Sequence, residues 1–159
     1  MKKEAILALL GSIIGMVAGS RVILKKEMKE RANIKELSDK HFTLMLLLNQ
    51  WLKIRQEGKE LADYFHKNEI GSIAVYGMSY VGERLYDELK DTDIRIAYAI
   101  DKNANNIYAE IDVMLPDAEL PQTEAIVVTS VFYYDEIKEK LQRKMKCPII
   151  SLEDILYEL

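Results

Sequence analysis

The sequence predicts an α/β fold: a doubly wound parallel sheet of order 3-2-1-4-5, preceded by an N-terminal transmembrane helix and a long helical connector. Three observations predict it. An uncharged stretch runs from Ala5 to Ser20. Residues 27–67 contain no proline and a single glycine, Gly58. From residue 69 onward, short apolar runs rich in β-formers alternate with amphipathic helical periods, the pattern of βα units. The 159 residues therefore divide into an anchor (1–26), a connector (27–68) and a globular domain (69–159).

Composition narrows the function classes. Apolar residues make up 49% of the chain and charged ones 30%, enough for a core and unlike a disordered chain. The single cysteine, Cys147, excludes an internal disulfide framework and a cysteine-based zinc cluster. His41 and His66 have no metal-ligand spacing, and each reads as an ordinary helix residue. The net charge of −4 argues against nucleic acid as the main partner. That charge is unevenly spread: residues 1–31 carry +4, residues 32–68 carry +1 and residues 69–159 carry −9. A basic head on an acidic tail suggests one end facing a membrane and one facing solvent.

The head comes first. With Arg21 snorkelling, the apolar stretch from Ala5 reaches Leu24, about 30 Å of helix and close to one hydrocarbon core. Gly11, Gly15 and Gly19 recur every four residues, a small-residue stripe of the kind that lets two membrane helices approach. The favoured reading is a single-pass cell-membrane anchor. A cleaved signal peptide, with Lys2 and Lys3 ahead and Ala18-Gly19-Ser20 as the cleavage site, and a buried or interfacial helix are the other two. Arg21, Lys25, Lys26, Lys29 and Arg31 outnumber Lys2 and Lys3, so the positive-inside rule places the C-terminal domain in the cytoplasm.

The connector steps by four and three through Leu37, His41, Leu44, Leu48, Trp51, Arg55, Gly58, Ala62 and Phe65, a heptad-like face. Met45, Leu46, Leu47 and Leu52 widen it, which suits packing on the globular domain or on a second copy. A homodimer through Gly11, Gly15, Gly19 and helix 27–67 is the expected assembly. Trp51 reads as a packing anchor, and Gly58 as a point where the helix divides in two.

The globular part follows element by element. Residues 73–77, IAVYG, form the first strand. Residues 80–90 form a helix, with Val81, Leu85 and Leu89 on one side. Between them lies Gly77-Met78-Ser79-Tyr80-Val81-Gly82, in the strand-to-helix setting that a dinucleotide fingerprint requires. Gly77 permits the tight turn, and Gly82 lets the helix lie close on the sheet. The amides between them favour a phosphate. Ser79 stands where the fingerprint has its second glycine; its hydroxyl can donate to a phosphate oxygen, or its bulk can push a dinucleotide away. A purely structural strand-turn-helix is the rival reading.

Residues 94–100 form the second strand and end at Asp101-Lys102. An acidic residue at that place accepts hydrogen bonds from an adenosine ribose. Ile111, Val113 and Leu115 suggest a weak edge strand before Pro116. Ala125–Thr129 reads as a buried parallel strand. Its end, Thr129-Ser130, should face the Gly77 turn across the crevice of the switch point. A helix over 134–145, with Ile137, Leu141 and Met145 inward, a strand at 148–150 and a closing helix at 152–159 complete the order, with right-handed crossovers.

Residues 69–159 resemble the small Rossmann-like NAD(P)-binding or CoA-binding-type domains of bacterial surface-polysaccharide biosynthesis proteins, nucleoside-diphosphate-sugar epimerase-like. The resemblance rests on IAVYGMSYVGERLYDEL, AIDKN, and AIVVTSVFYYDEIKEKL followed by PIISLEDIL. It implies a nucleotide-type ligand, NAD(P) or a nucleotide sugar, in an accessory of glycan assembly. It puts Gly77, Ser79 and Gly82 at phosphates, Asp101 at a ribose, and Thr129 and Ser130 along the crevice, with Met78, Tyr80 and Lys102 as further cofactor-binding candidates. An NAD(P)-dependent epimerase or reductase and a ligand-free scaffold for a membrane glycosyltransferase are the alternatives. Tyr134 and Lys138 spell the Y-x-x-x-K dyad of short-chain dehydrogenases. The dyad follows Ser130 too closely, however, and too little chain remains to hold a substrate against a nicotinamide.

Overall fold

The computed structural model describes residues 2–159, with side chains from Leu24 onward. The chain forms two compact units, Met1–Phe42 and Thr43–Leu159. Helix α1 (Lys2–Gln56) runs from the first unit into the second, supplying all of the first unit's described residues. Among the described residues no helix is long and apolar enough to cross a membrane. The side chains of the expected span, and the Gly11, Gly15 and Gly19 stripe, lie outside the described residues. From Leu24 to Phe42 the described side chains are exposed, apart from a partly covered Lys40.

In the second unit the elements follow as α2 (Leu61–Lys67), β1 (Ser72–Tyr76), α3 (Tyr80–Leu89), β2 (Arg95–Ile100), β3 (Val113–Met114), β4 (Ala125–Val128), α4 (Tyr134–Leu141), β5 (Ile149–Ser151) and α5 (Leu152–Glu158). The five strands form one sheet in the order β3-β2-β1-β4-β5, and every pairing is parallel. This is the order expected from the sequence. The central strands are buried on both faces, which is why they read as unbroken apolar runs.

Two cores flank the sheet. On one face, Ile73, Val75, Ala125 and Val127 meet side chains from the end of α1, α2, α3 and α5. On the other, Ala74, Tyr76, Ile126 and Val128 meet α4 and the loop residue Leu120. The crossover after β1 thus lies on one face and that after β4 on the opposite face. Their carboxyl ends diverge and leave a crevice between them.

The connector departs from its expected face. Gly58, at φ +77°, ends α1 and starts the turn into α2, so the helix divides there. The nine-residue stripe does not stay together. Trp51, Ala62 and Phe65 are buried, whereas Leu37, His41, Leu48 and Arg55 are exposed. The buried line is Leu47, Trp51 and Ile54, with Leu44 partly covered. The buried line keeps the three-and-four step but runs through Leu47 and Ile54 instead of Leu48 and Arg55, because residues 44–48 are apolar all round and the side that meets the core is set by packing. Met45, Leu46, Leu48 and Leu52 are left on the outside.

Two boundaries also move. Helix α4 closes at Leu141 rather than at 145, and turns carry the chain on to a buried Met145, whose amide still donates to the Leu141 carbonyl at 2.8 Å. Strand β5 starts one residue past Pro148, whose carbonyl accepts the Ile126 amide at 2.9 Å.

Candidate functional site

Strand β1 stops where its chain must turn back over the sheet. Gly77 has φ +99°, a left-handed conformation that side chains rarely adopt. Its amide still donates to the Ile100 carbonyl at 2.8 Å, so the turn stays tied to β2. A Cβ at Gly77 would stand 2.6 Å from Ser130 Oγ and 2.7 Å from Thr129 Oγ1. Thr129 and Ser130 therefore do face Gly77 across the crevice. Thr129 is buried, and its hydroxyl donates to the Gly77 carbonyl at 2.6 Å, with the Tyr76 carbonyl 3.1 Å away. That hydroxyl pins β4 to the turn.

Gly82 sets the height of α3. A Cβ there would be 2.0 Å from the Gly77 carbonyl oxygen and 3.3 Å from Met78 Sδ. Only glycine lets the first turn of α3 rest on the Gly77 peptide. The Met78 side chain is buried beneath it, in the core shared with α3. Ser79 is the N-cap, yet its hydroxyl makes no capping hydrogen bond; its carbonyl accepts the Glu83 amide at 2.9 Å. No acceptor among the described residues stands against the amides of Ser79, Tyr80, Val81 and Gly82. Tyr80 projects into solvent, 81% exposed.

Asp101, half-buried just past β2, is drawn into the same turn. Oδ2 accepts the Met78 amide at 2.8 Å, and Oδ1 accepts the Asn103 amide at 2.8 Å. One carboxylate thus holds the turn after β1 and the turn after β2 together. Each oxygen keeps a second lone pair, so two acceptor sites remain. Lys102 is exposed beside it. The structure thus gathers Gly77, Met78, Gly82, Asp101, Thr129 and Ser130 at one place, with Ser79, Tyr80 and Lys102 on its exposed side.

The Tyr134–Lys138 pair is occupied differently. The Tyr134 hydroxyl donates to the Ile149 carbonyl at 2.8 Å, linking α4 to β5. Lys138 Nζ sits 5.1 Å from the Tyr134 ring centre. Its pKa is raised, first by its hydrogen bond to Tyr134 and then by charge interactions with Tyr134 and nearby carboxylates. His66 Nε2 meets Asp93 Oδ1 at 2.7 Å on the surface, and that hydrogen bond lowers the Asp93 pKa.

Two cavities border this region. One of about 210 Å³ begins at Met78 and lies between α3 and residues 107–110, with Arg84, Tyr86 and the fully exposed Tyr108 on its walls. The other, of about 360 Å³, opens past β4 and β5 and was not foreseen from the sequence. Its walls include Phe132, Tyr133 and Tyr134 together with four carboxylates, those of Asp135, Glu136, Glu153 and Asp154. The signal for it is the aromatic run directly after Ser130, which reads equally well as the start of a helix.

No protein-family model matches the chain, and neither a curated protein nor a solved structure matches it.

Proposed function

We propose that the second unit is a Rossmann-like binding module for a nucleotide-type ligand, NAD(P) or a nucleotide sugar. In this reading its phosphates lie on the amides at the start of α3. The observation that carries the reading is the run of unpartnered amides from Ser79 to Gly82, set at the divergence of the two crossovers of a parallel sheet. The residues present fit such a ligand. The Ser79 hydroxyl is uncommitted as a cap and can donate to a phosphate oxygen. Asp101 keeps two acceptor sites for ribose hydroxyls, and the cavity beside Met78 has Tyr108 for a base to stack on. The carboxylates past β4 and β5 disfavour phosphate there and support the opposite side of the crevice. Because the Tyr134 hydroxyl is held by a main-chain carbonyl, binding is favoured over turnover.

The proposal extends to setting: a single-pass anchor holds the module at the cytoplasmic face of the cell membrane as a homodimer. There it serves surface-polysaccharide assembly. The basic residues after the apolar stretch support the orientation. The exposed Met45, Leu48 and Leu52 on α1 support a second copy. A ligand-free scaffold is the second reading, favoured by one observation: both Asp101 oxygens already have protein donors.

Thermal shift of the full chain in non-ionic detergent, against NAD(H), NADP(H), UDP-sugars and CoA, decides between them. Binding stabilises the protein by about 2.7 kcal/mol when ligand stands at about a hundred times Kd. Ser79→Glu, which puts a charge among the amides, should abolish the response. A flat response to every compound favours the scaffold. Alkaline extraction of membranes tests the anchor: a protein released into the supernatant is not anchored by a span.

A further inference from the structure

The face of the sheet opposite α3 is covered by α4 and by the loop that returns from β3 to β4. No helix forms in that return, so the end of β1 is thinly covered, and a cavity of about 220 Å³ opens beside it. Three tyrosines reach this face, and the Tyr134 hydroxyl is already held by the Ile149 carbonyl at 2.8 Å. The Tyr98 hydroxyl donates to the Pro121 carbonyl at 2.6 Å. Tyr76, the last residue of β1, is only 7% exposed and lines the cavity. Its hydroxyl has no hydrogen-bond partner among the described residues. No fully enclosed side-chain polar atom among them lacks a partner, so the Tyr76 hydroxyl is reachable from outside, and the residue lines the cavity. A nearly buried phenol without an acceptor gains nothing over phenylalanine for the fold.

The other walls indicate what the acceptor is. Pro116, Ile137 and Leu141 make an apolar floor. Lys140, Arg143 and Lys144 bring three cations against a single carboxylate, Asp117. Two of the cations are engaged: Arg143 pairs with Glu139, and Lys144 donates to the Pro116 carbonyl at 3.0 Å and lies 3.9 Å from Asp117. Lys140 has no ion-pair partner among the described residues. An uncommitted phenol and an uncommitted ammonium thus border one apolar cavity.

We propose that this cavity binds a small organic anion with an apolar body, its charged oxygen accepting from Tyr76 and attracted by Lys140, its body on Pro116, Ile137 and Leu141. The volume lies below the usual range of drug-sized sites, so the ligand is the size of a single ring with its acid group. The site does not depend on the nucleotide reading. Gly77 turns the chain toward α3 directly after Tyr76, and the two sites lie on opposite faces. Burial, and to a lesser extent the charges of Asp101 and Asp117, raises the Tyr76 pKa; a phenol is protonated at neutral pH in any case, so the hydroxyl can donate.

Saturation-transfer NMR on the full chain in non-ionic detergent tests this. The probes are benzoate, phenyl phosphate and, as a neutral analogue, benzamide. At least one anion should bind, and the stronger of the two identifies the acid group. Benzamide should bind more weakly. Tyr76→Phe should raise Kd about tenfold, the loss of one hydrogen bond to a charged acceptor, while leaving Tm unchanged or slightly higher. Lys140→Gln should weaken binding and reduce its salt dependence. The proposal is overturned if neither anion binds, if benzamide binds as well as benzoate, or if Tyr76→Phe binds like the original chain. In the first case the cavity holds water only; in the second whatever binds there is not recognised by its charge, and in the third not by the Tyr76 hydroxyl.

Discussion

A methyl group added at position 82 has nowhere to go. It would meet the Gly77 carbonyl oxygen at 2.0 Å, and that oxygen belongs to backbone that Thr129 and β2 already hold. Gly82→Ala must therefore lift α3 off the turn. It should lower stability by about 3 kcal/mol or prevent folding, read from the urea midpoint. Gly58 gives the control. It also has positive φ, but nothing lies within 4 Å of its would-be Cβ. Gly58→Ala should cost only the left-handed conformation, about 1 kcal/mol. If both substitutions cost the same, crowding at Gly82 is not what fixes the helix. Both glycines of the Gly77 turn were legible in sequence, since a strand and a helix flank them at the required spacing. The use made of Asp101 was not. Spacing puts a carboxylate at the end of β2, but it does not say which amide arrives there. Tyr76 was equally opaque, because alternation assigns a side chain to a face and says nothing of its hydroxyl's partner.

Between residue and fold stands Glu88, which joins three helices. Its carboxylate accepts the Trp51 indole N–H at 2.6 Å and the Leu61 amide at 3.1 Å, and Arg55 Nη1 lies 3.4 Å away. The side chain is only 14% exposed, so these bonds are shielded from solvent. A double-mutant cycle of Trp51→Phe with Glu88→Ala should give a coupling of about 1–2 kcal/mol. Additive losses would mean that Trp51 acts through packing alone. The same joint makes the end of α1 part of the globular core. Leu47, Trp51, Ile54, Leu61 and Phe65 all pack in the core over β1. A fragment of residues 43–159 should unfold in one sharp transition, while residues 69–159 should give a lower and broader one. Equal midpoints would make the connector dispensable. The sequence showed the connector as helical and placed its break at Gly58. It did not show which stripe faces inward, because residues 44–48 are apolar on every side and periodicity cannot choose among them.

Over the whole molecule, three phenols set an alkaline limit. Burial is the main cause raising the pKa of Tyr64, Tyr76 and Tyr98, so the folded state holds their protons more tightly than the unfolded chain. Their contribution is fully present below the ordinary tyrosine value of about 10 and is lost as pH rises through the higher folded values. Of the nine tyrosines, the last three to contribute tyrosinate absorbance above pH about 10 should do so together with the loss of circular dichroism signal. Ionisation of these phenols well before unfolding would show that the cores admit water. The strand order was legible because parallel βα units allow few arrangements. The ends of the outer strands were not, since a strand of two or three residues carries almost no periodic signal.

Those outer strands have one more effect. A sheet's rim carries free peptide groups that can recruit another chain and start a fibre. Here β3 contributes two residues and β5 three, each bounded by loops or a helix. A passing chain finds too few consecutive peptide groups on either side to dock. Borders this brief give edge-to-edge growth through the sheet little to build on.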